Sequence, residues 1–183
     1  PRNADALSLL AIVATQMLES MRYNPRPTRA EVSDIANAVI DHTDAVMLSA
    51  ETATGKYPVK SVKLMAEIIA ETEKSVYDDL PMEKSKNKKN KLDDIISGLS
   101  RELAEQVGAK LILAASISGD TGRLISHYRP ELPIMIGTYT DRVRRQMNLS
   151  WGVVPFLLEE CHSIEELIER SLVRLKKKGA VAK

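Results

Sequence analysis

The sequence predicts an α/β fold in which strands and helices alternate and the strands are mainly parallel, in a three-layer α/β/α arrangement. Three observations carry this. Short apolar runs at 9–14, 45–48, 110–115, 132–137 and 152–157 alternate with longer segments of helical periodicity, an order that implies right-handed crossovers and parallel pairing. With one Phe and one Trp in 183 residues, the core must be built from Ile, Leu, Val, Ala and Met, which suits strands covered by helices on both faces. Helix punctuation is also explicit, in two capping boxes and a well-placed proline and glycine.

Residues 1–8 carry no clear signal and are read as an arm or a frayed helix end. The run Leu9 to Ala14 reads as a buried strand, with Thr15 and Gln16 on the loop at its tip, where ligands sit in α/β proteins. Asn24-Pro25-Arg26-Pro27 stops any helix, because each proline pushes the preceding residue out of the helical region. Thr28 and Glu31 form a capping box. The helix it opens should run to about Asp41 and bury Val32, Ile35, Ala36, Val39 and Ile40. A strand at Ala45–Leu48 leads into the loop Ser49–Tyr57, and Pro58 opens a long helix to about Tyr77, with Val62, Met65, Ile69 and Val76 as its apolar stripe.

From Asp78 to Lys91 the composition turns to Lys, Asn, Ser and Glu without apolar periodicity, which marks a linker. The lysines at 84, 86, 88, 89 and 91 read as a solvated connector rather than a nucleic-acid patch. A helix then runs from Leu92 and should carry Ile95, Ile96, Leu99, Leu103 and Val107 inward, to a left-handed cap at Gly108. Strand Lys110–Ala115, helix Asp120–Tyr128, strand Leu132–Gly137, short helix Asp141–Met147 and strand Gly152–Leu157 follow. The last helix, Ser163–Lys178, is opened by the second box, Ser163 and Glu166.

Composition narrows the function classes. The net charge is +1, so neither a nucleic acid nor a membrane surface is expected as partner. No stretch approaches the roughly 20 apolar residues of a membrane span, and the first residues given show no basic start followed by an apolar run and a cleavage site. The single cysteine, Cys161, excludes an internal disulfide and suits a reducing cytoplasm. His42, His127 and His162 are scattered without ligand spacing, so no metal site is expected. Trp151 reads as a packing residue, and Met17, Met21, Met65 and Met147 as core filling.

Two loops could carry chemistry. Ser116-Ile117-Ser118-Gly119-Asp120-Thr121-Gly122-Arg123 joins a strand to a helix. Its hydroxyls, the close approach allowed by Gly119, the helix dipole and Arg123 would suit a phosphate. The same spacing equally suits plain capping of the helix by Ser118 or Asp120, and pattern leaves both open. Ser49, Glu51, Thr52 and Lys56 could form a hydrogen-bonding cluster with a cation, or an ordinary strand-to-helix loop.

Longer segments point further. Ala14-Thr15-Gln16-Met17-Leu18-Glu19-Ser20-Met21, Asn24-Pro25-Arg26-Pro27-Thr28-Arg29-Ala30-Glu31-Val32-Ser33-Asp34, and Asp44-Ala45-Val46-Met47-Leu48-Ser49-Ala50-Glu51-Thr52-Ala53 followed by Gly55-Lys56-Tyr57-Pro58, resemble pyruvate kinase. Ser118-Gly119-Asp120-Thr121, Tyr128-Arg129-Pro130, Arg145-Gln146 and Gly152-Val153 resemble that family's carboxy-terminal regulatory domain. The resemblance implies a glycolytic transfer of phosphate from phosphoenolpyruvate to ADP, with magnesium and potassium in the family, in the cytoplasm, by a homo-oligomer. It implies that Thr15 lies beside the enolpyruvate carbon that is protonated and that Ser49 helps relay the proton. It also implies that Ser116, Ser118, Gly119 and Thr121 hold the phosphate of an effector, to which the loop pattern adds Arg123.

The implied organisation is a partial catalytic-barrel segment at 1–78 holding two strand-helix units, a linker at 79–91, and a regulatory-type α/β domain at 92–183. Against the family pattern, Ala50 replaces the usual glycine and Gly122 stands where alanine is common. The family's phosphoryl-stabilising lysine, acidic metal ligands and nucleotide-binding residues precede the first residue here. The chain stops before the family's last strands. The expectation is therefore a chain inactive alone and binding no cofactor itself, with two alternatives: a non-catalytic module sensing phosphorylated metabolites, or a ligand-free assembly unit.

Overall fold

The computed structural model of the chain describes residues 10–77, 92–161 and 163–177. The expected amino-terminal arm and the linker lie outside the described residues. The chain divides into two compact units, Pro1–Ser85 and Lys86–Lys183, and the α/β class with parallel strands is what both contain.

In the first unit, strand β1 (Ile12–Val13) pairs in parallel with β2 (Ala45–Val46), Ile12 opposite Ala45 and Val13 opposite Val46. The strands are shorter than expected, for local reasons. At one end the Ala11 N–H donates to the Asp44 carboxylate at 2.8 Å, outside the ladder. At the other, Thr15 and Gln16 turn to φ of 73° and 53°, conformations that a strand cannot hold and that non-glycine residues rarely adopt. Nor is β1 a fully buried strand, since Ile12 is 49% exposed. The burial expected of it falls on the loop beyond: Met17, Leu18 and Met21 pack with Ile35, Ala38 and Met65.

The remaining elements of this unit are a 3-10 turn at Glu19–Arg22, helix α1 (Arg29–Ile40), a short α2 (Ala50–Ala53) and α3 (Pro58–Thr72). α1 starts on the expected capping box, Thr28 Oγ1 accepting from the Glu31 N–H while the Glu31 carboxylate accepts from the Thr28 N–H. Pro58 occupies the first turn of α3. That helix stops at Thr72 rather than at Tyr77, where the chain tightens into a turn closed by the Ser75 N–H on the Thr72 carbonyl. Its inner face holds Met65, with Leu64, Ile68 and Ile69 packed against the cluster, while Val62 and Val76, expected inside, are exposed.

The second unit follows the expected alternation: α4 (Leu92–Gln106), β3 (Ile112–Ala115), α5 (Asp120–His127), β4 (Ile134–Thr138), α6 (Asp141–Met147), β5 (Val153–Leu157) and α7 (Ile164–Lys177). The three strands form one parallel sheet in the order β3-β4-β5. β4 is central and buried throughout. Ile134 and Ile136 turn one way into a cluster with Ile112, Ile125, Val143, Met147 and Val153. Met135 turns to the opposite face and packs with Phe156 and Leu175, as the alternation of strand side chains requires. Gly108 takes φ 61° after α4, as a left-handed cap should.

α4 overturns one expectation. Ile95, Ile96, Leu99, Leu103 and Val107, read as its inner face, are 47–66% exposed, and Ser97, Arg101 and Ala104 are buried instead. The reason is close packing against the end of α5. Gly98 lies so near the Tyr128 ring that an added Cβ would stand 3.1 Å from it, so only a face of small residues fits there. Arg101 is accommodated on that face by hydrogen bonds to the Tyr128 carbonyl and the Glu105 carboxylate, both at 2.7 Å.

Candidate functional site

Parallel pairing brings the carboxyl ends of β1 and β2 to one edge, and the ladder extends one bond further, from the Met47 N–H to the Val13 carbonyl at 2.9 Å. Thr15 and Ser49 therefore leave the same end of the strand pair, both on exposed loop positions. Neither hydroxyl is buried. What is buried is a carboxylate between the loops. Glu51, 1% exposed, accepts from the Leu18 N–H with Oε1 at 3.0 Å and from the Ser49 N–H with Oε2 at 2.8 Å.

Burial alone would push Glu51 up. Its own amide, the Ser49 and Leu18 amides and the charge of Arg22 outweigh that and hold the carboxyl below its ordinary range. Two further contacts join the same loops. The Lys56 N–H donates to the Arg22 carbonyl at 2.8 Å. Gly55 lies so close that a Cβ there would stand 2.4 Å from the Glu51 carbonyl oxygen and 3.2 Å from the Arg22 Cα. Arg22 itself pairs with Glu19 at 2.6 Å.

The Glu31 carboxylate performs a similar office from the other side. Besides capping α1, it accepts from the Ser20 N–H at 2.7 Å and the Ser20 hydroxyl at 2.6 Å. Four hydrogen bonds from Ser20 and Thr28 overcome burial and keep it ionised below the usual glutamate range. The cap was legible from spacing, but the bond to Ser20 was not, because nothing local pairs a serine with a glutamate so far along the chain.

The second loop takes a definite shape. The Ser116 hydroxyl is buried and accepts from the Gly119 N–H at 2.9 Å, which shapes the turn from within. Gly119 has φ 92°, and its Cα faces Val143 and Met147 of α6, so both the dihedral and the space favour glycine. Ser118, Thr121 and Arg123 are exposed. Two of the donors expected for a phosphate already meet an anion, however. Ser118 donates to the Asp120 carboxylate at 2.6 Å and Arg123 pairs with its other oxygen. The Ser118 hydroxyl, then the Arg123 guanidinium, hold Asp120 below the usual carboxylate range.

Farther round the second unit, the Arg129 guanidinium lies over the Trp151 ring at 5.1 Å, and the Tyr128 hydroxyl donates to Asp94 at 3.0 Å. Burial and that carboxylate push Tyr128 up to about 12. Among the described residues no group of three His, Cys, Asp or Glu side chains converges. The magnesium that the resemblance implies thus finds no such carboxylate set among the described residues, and no chemical step is assigned to it on this chain. No helix among the described residues is long and apolar enough to cross a membrane.

Comparison with known proteins gives this geometry a context. The family model for the pyruvate kinase barrel domain matches residues 2–62, and that for the pyruvate kinase alpha/beta domain matches residues 94–183. The pyruvate kinase of Clostridium acetobutylicum is 42% identical over 183 residues, covering 100% of this chain and 39% of the relative. That of Agaricus bisporus is 48% identical over 159 residues, 84% of this chain and 30% of the relative. A crystal structure of a pyruvate kinase from Cryptosporidium parvum superposes with a TM-score of 0.89 at 34% identity, over 99% of this chain and 38% of that one. The chain thus spans less than two fifths of the length of each of these relatives. With both models matched in order along the chain, and a solved relative followed from end to end of it, the chain belongs to the pyruvate kinase family.

Proposed function

We propose that the chain carries one edge of a pyruvate kinase catalytic site, joined to a regulatory-type α/β domain, and that alone it does not turn over. The observation that carries this reading is the common edge of β1 and β2, from which the Thr15 and Ser49 loops leave together within the segment matched by the barrel model. Transfer of the phosphoryl group from phosphoenolpyruvate to ADP leaves an enol, which becomes pyruvate when its methylene carbon takes a proton. A threonine hydroxyl beside that carbon can donate the proton and a serine can replenish it, each hydroxyl giving one proton while accepting another. The transfer itself depends on positioned cations and metal, and the described residues hold no metal-binding cluster. The purified chain, given phosphoenolpyruvate, ADP, magnesium and potassium, is expected to form no pyruvate above the blank in a lactate dehydrogenase-coupled assay. Pyruvate formed in proportion to added chain would overturn the reading.

The loop 116–123 supports a second reading, as the seat of an effector phosphate in the cytoplasm. Ser118, Thr121, Arg123 and the Gly119 turn supply donors at a helix start, and the anion now on Ser118 and Arg123 is Asp120. A phosphate therefore binds in place of that carboxylate. A sugar bisphosphate is expected to raise the thermal midpoint of the chain. Ser118→Ala with Thr121→Ala should remove the rise, and Asp120→Asn should enlarge it. A midpoint indifferent to the ligand in all three proteins leaves the loop a plain helix cap. The homo-oligomer is proposed to form through a second copy on the exposed apolar stripe of α4, Leu92, Ile96, Leu99 and Leu103.

A further inference from the structure

Glu51 is a fully buried ionised group to which no hydrogen-transfer role falls, because both its oxygens are already held by amides. A carboxylate that merely capped the turn at Ser49 would need one oxygen and a partner nearby. Here one oxygen bonds two residues back, to the Ser49 N–H, and the other reaches a residue 33 positions away, the Leu18 N–H. Those amides belong to the two loops that carry Ser49 and Thr15. Between Thr15 and Leu18 lie no glycines, yet Thr15 and Gln16 both hold positive φ, a strained conformation that persists only where the surroundings over-determine it. The Leu18 anchor sits two residues after this strained pair, on a residue with no exposed surface.

We infer that Glu51 is a positioning residue, which sets the strained Thr15-Gln16 turn against the Ser49 loop by bridging their backbones with one ionised carboxylate. The inference rests on the proposed catalytic role of Thr15 and Ser49 only for its functional meaning; the bridge itself stands on the two hydrogen bonds. The charged group that acts on Glu51 from the neighbouring segment is Arg22, itself paired with Glu19. No neutral isostere can replace the bridge. A glutamine offers one acceptor oxygen and turns an N–H₂ donor toward the other amide.

Amide NMR of the whole chain tests this. In the wild-type protein the Leu18 and Ser49 amide protons should shift together on acidification, with one shared midpoint below the ordinary glutamate range. Separate midpoints, or no titration at either amide, would overturn the inference without need of any variant. In Glu51→Gln both pH-dependent shifts should vanish, and hydrogen exchange at one of the two amides should accelerate by at least about tenfold while α1 and α3 keep their protection. Unchanged exchange at both amides overturns it equally. Phosphoenolpyruvate added to the wild-type chain tests the site separately. Absence of shifts at Thr15 and Ser49 counts against the catalytic reading and leaves the bridge intact, whereas shifts that persist unchanged in Glu51→Gln count against the positioning role.

Discussion

Residues 10–77 and 92–177 are both α/β, yet they are held in unlike ways. The first unit has a ladder of two residue pairs, and its interior is completed by loop residues, Met17, Leu18 and Met21, and by two buried carboxylates that gather loop amides. The second has a three-stranded sheet whose central strand is buried along its whole length, with apolar clusters on both faces. A parallel strand pair this short cannot fix the loops that leave it, so their order comes from Glu31 and Glu51 in the first unit. In the second the sheet fixes its loops directly, and the carboxylate at its candidate site, Asp120, is exposed. Burial of a carboxylate marks the site where loop geometry is not set by the scaffold beneath.

The largest effect that sharpens this contrast is loss of the core of the second unit. Phe156 is 2% exposed in β5, against Met135 and Leu175, and Phe156→Ala should cost about 3–5 kcal/mol. Trp151 is the only tryptophan and lies in the second unit, so its fluorescence during urea unfolding reports that unit alone. The midpoint should fall sharply, and a fall of less than 1 kcal/mol, on the order of a surface change, would refute the sheet as the main support.

Next come two glycines that look alike in sequence. A Cβ on Gly55 would strike the Glu51 carbonyl oxygen at 2.4 Å and crowd the Arg22 Cα, both backbone atoms. A Cβ on Gly122 would meet the end of a flexible side chain, the Met147 Cε, at 2.0 Å. Backbone cannot step aside and a methionine tip can. Gly55→Ala is expected to destabilise its unit by about 1–3 kcal/mol and Gly122→Ala to fall at or below the lower end of that range, measured by hydrogen exchange of α1 and by Trp151 fluorescence respectively. The reverse order would break the comparison.

The units should also part company with pH. Glu31 and Glu51 have folded-state values below the ordinary 4.5, so the stability they contribute is complete above that value and is lost as pH falls through their folded values. Tyr128 is raised from 10.0 to about 12, so its contribution is complete below pH 10 and is lost as pH rises toward 12. In the second unit Asp120 and Asp141 are also lowered, but both lie near the surface beside arginines, where salt screens them. Protection of the α1 amides should therefore fade first in acid, and the Trp151 signal should lose stability first in alkali. Acid loss common to both units at the same pH would contradict this.

What was legible follows from range. The Thr28–Glu31 box, the Pro58 start and the alternation of strands and helices in the second unit depend on residues within a few positions of one another, and periodicity or spacing carries them. The Thr15 and Ser49 loops were visible as strand tips within long ordered motifs. The Glu51 bridge to Leu18 was not, because its partners lie 33 residues apart and a backbone amide has no signature in sequence. Positive φ at Thr15 and Gln16 was equally hidden, since the usual marker, glycine, is absent there.

The smallest effect separates pattern from packing in α4. The apolar periodicity of Ile96, Leu99 and Leu103 says that the helix has an apolar face, not what covers it, and the helix instead turns Ser97 and Ala104 to α5. Were the stripe an inner face, Leu99→Ala would cost about 2–5 kcal/mol. With Leu99 56% exposed, the expected change in unfolding free energy at high dilution is within about 0.5 kcal/mol. If a second copy covers the stripe, the cost should appear only as protein concentration rises, because association stabilises by mass action. The concentration dependence of the Trp151 unfolding midpoint, in wild type and in Leu99→Ala, thus distinguishes a buried face, a bare one and a shared one, and the first of these would overturn the packing of α4 described here.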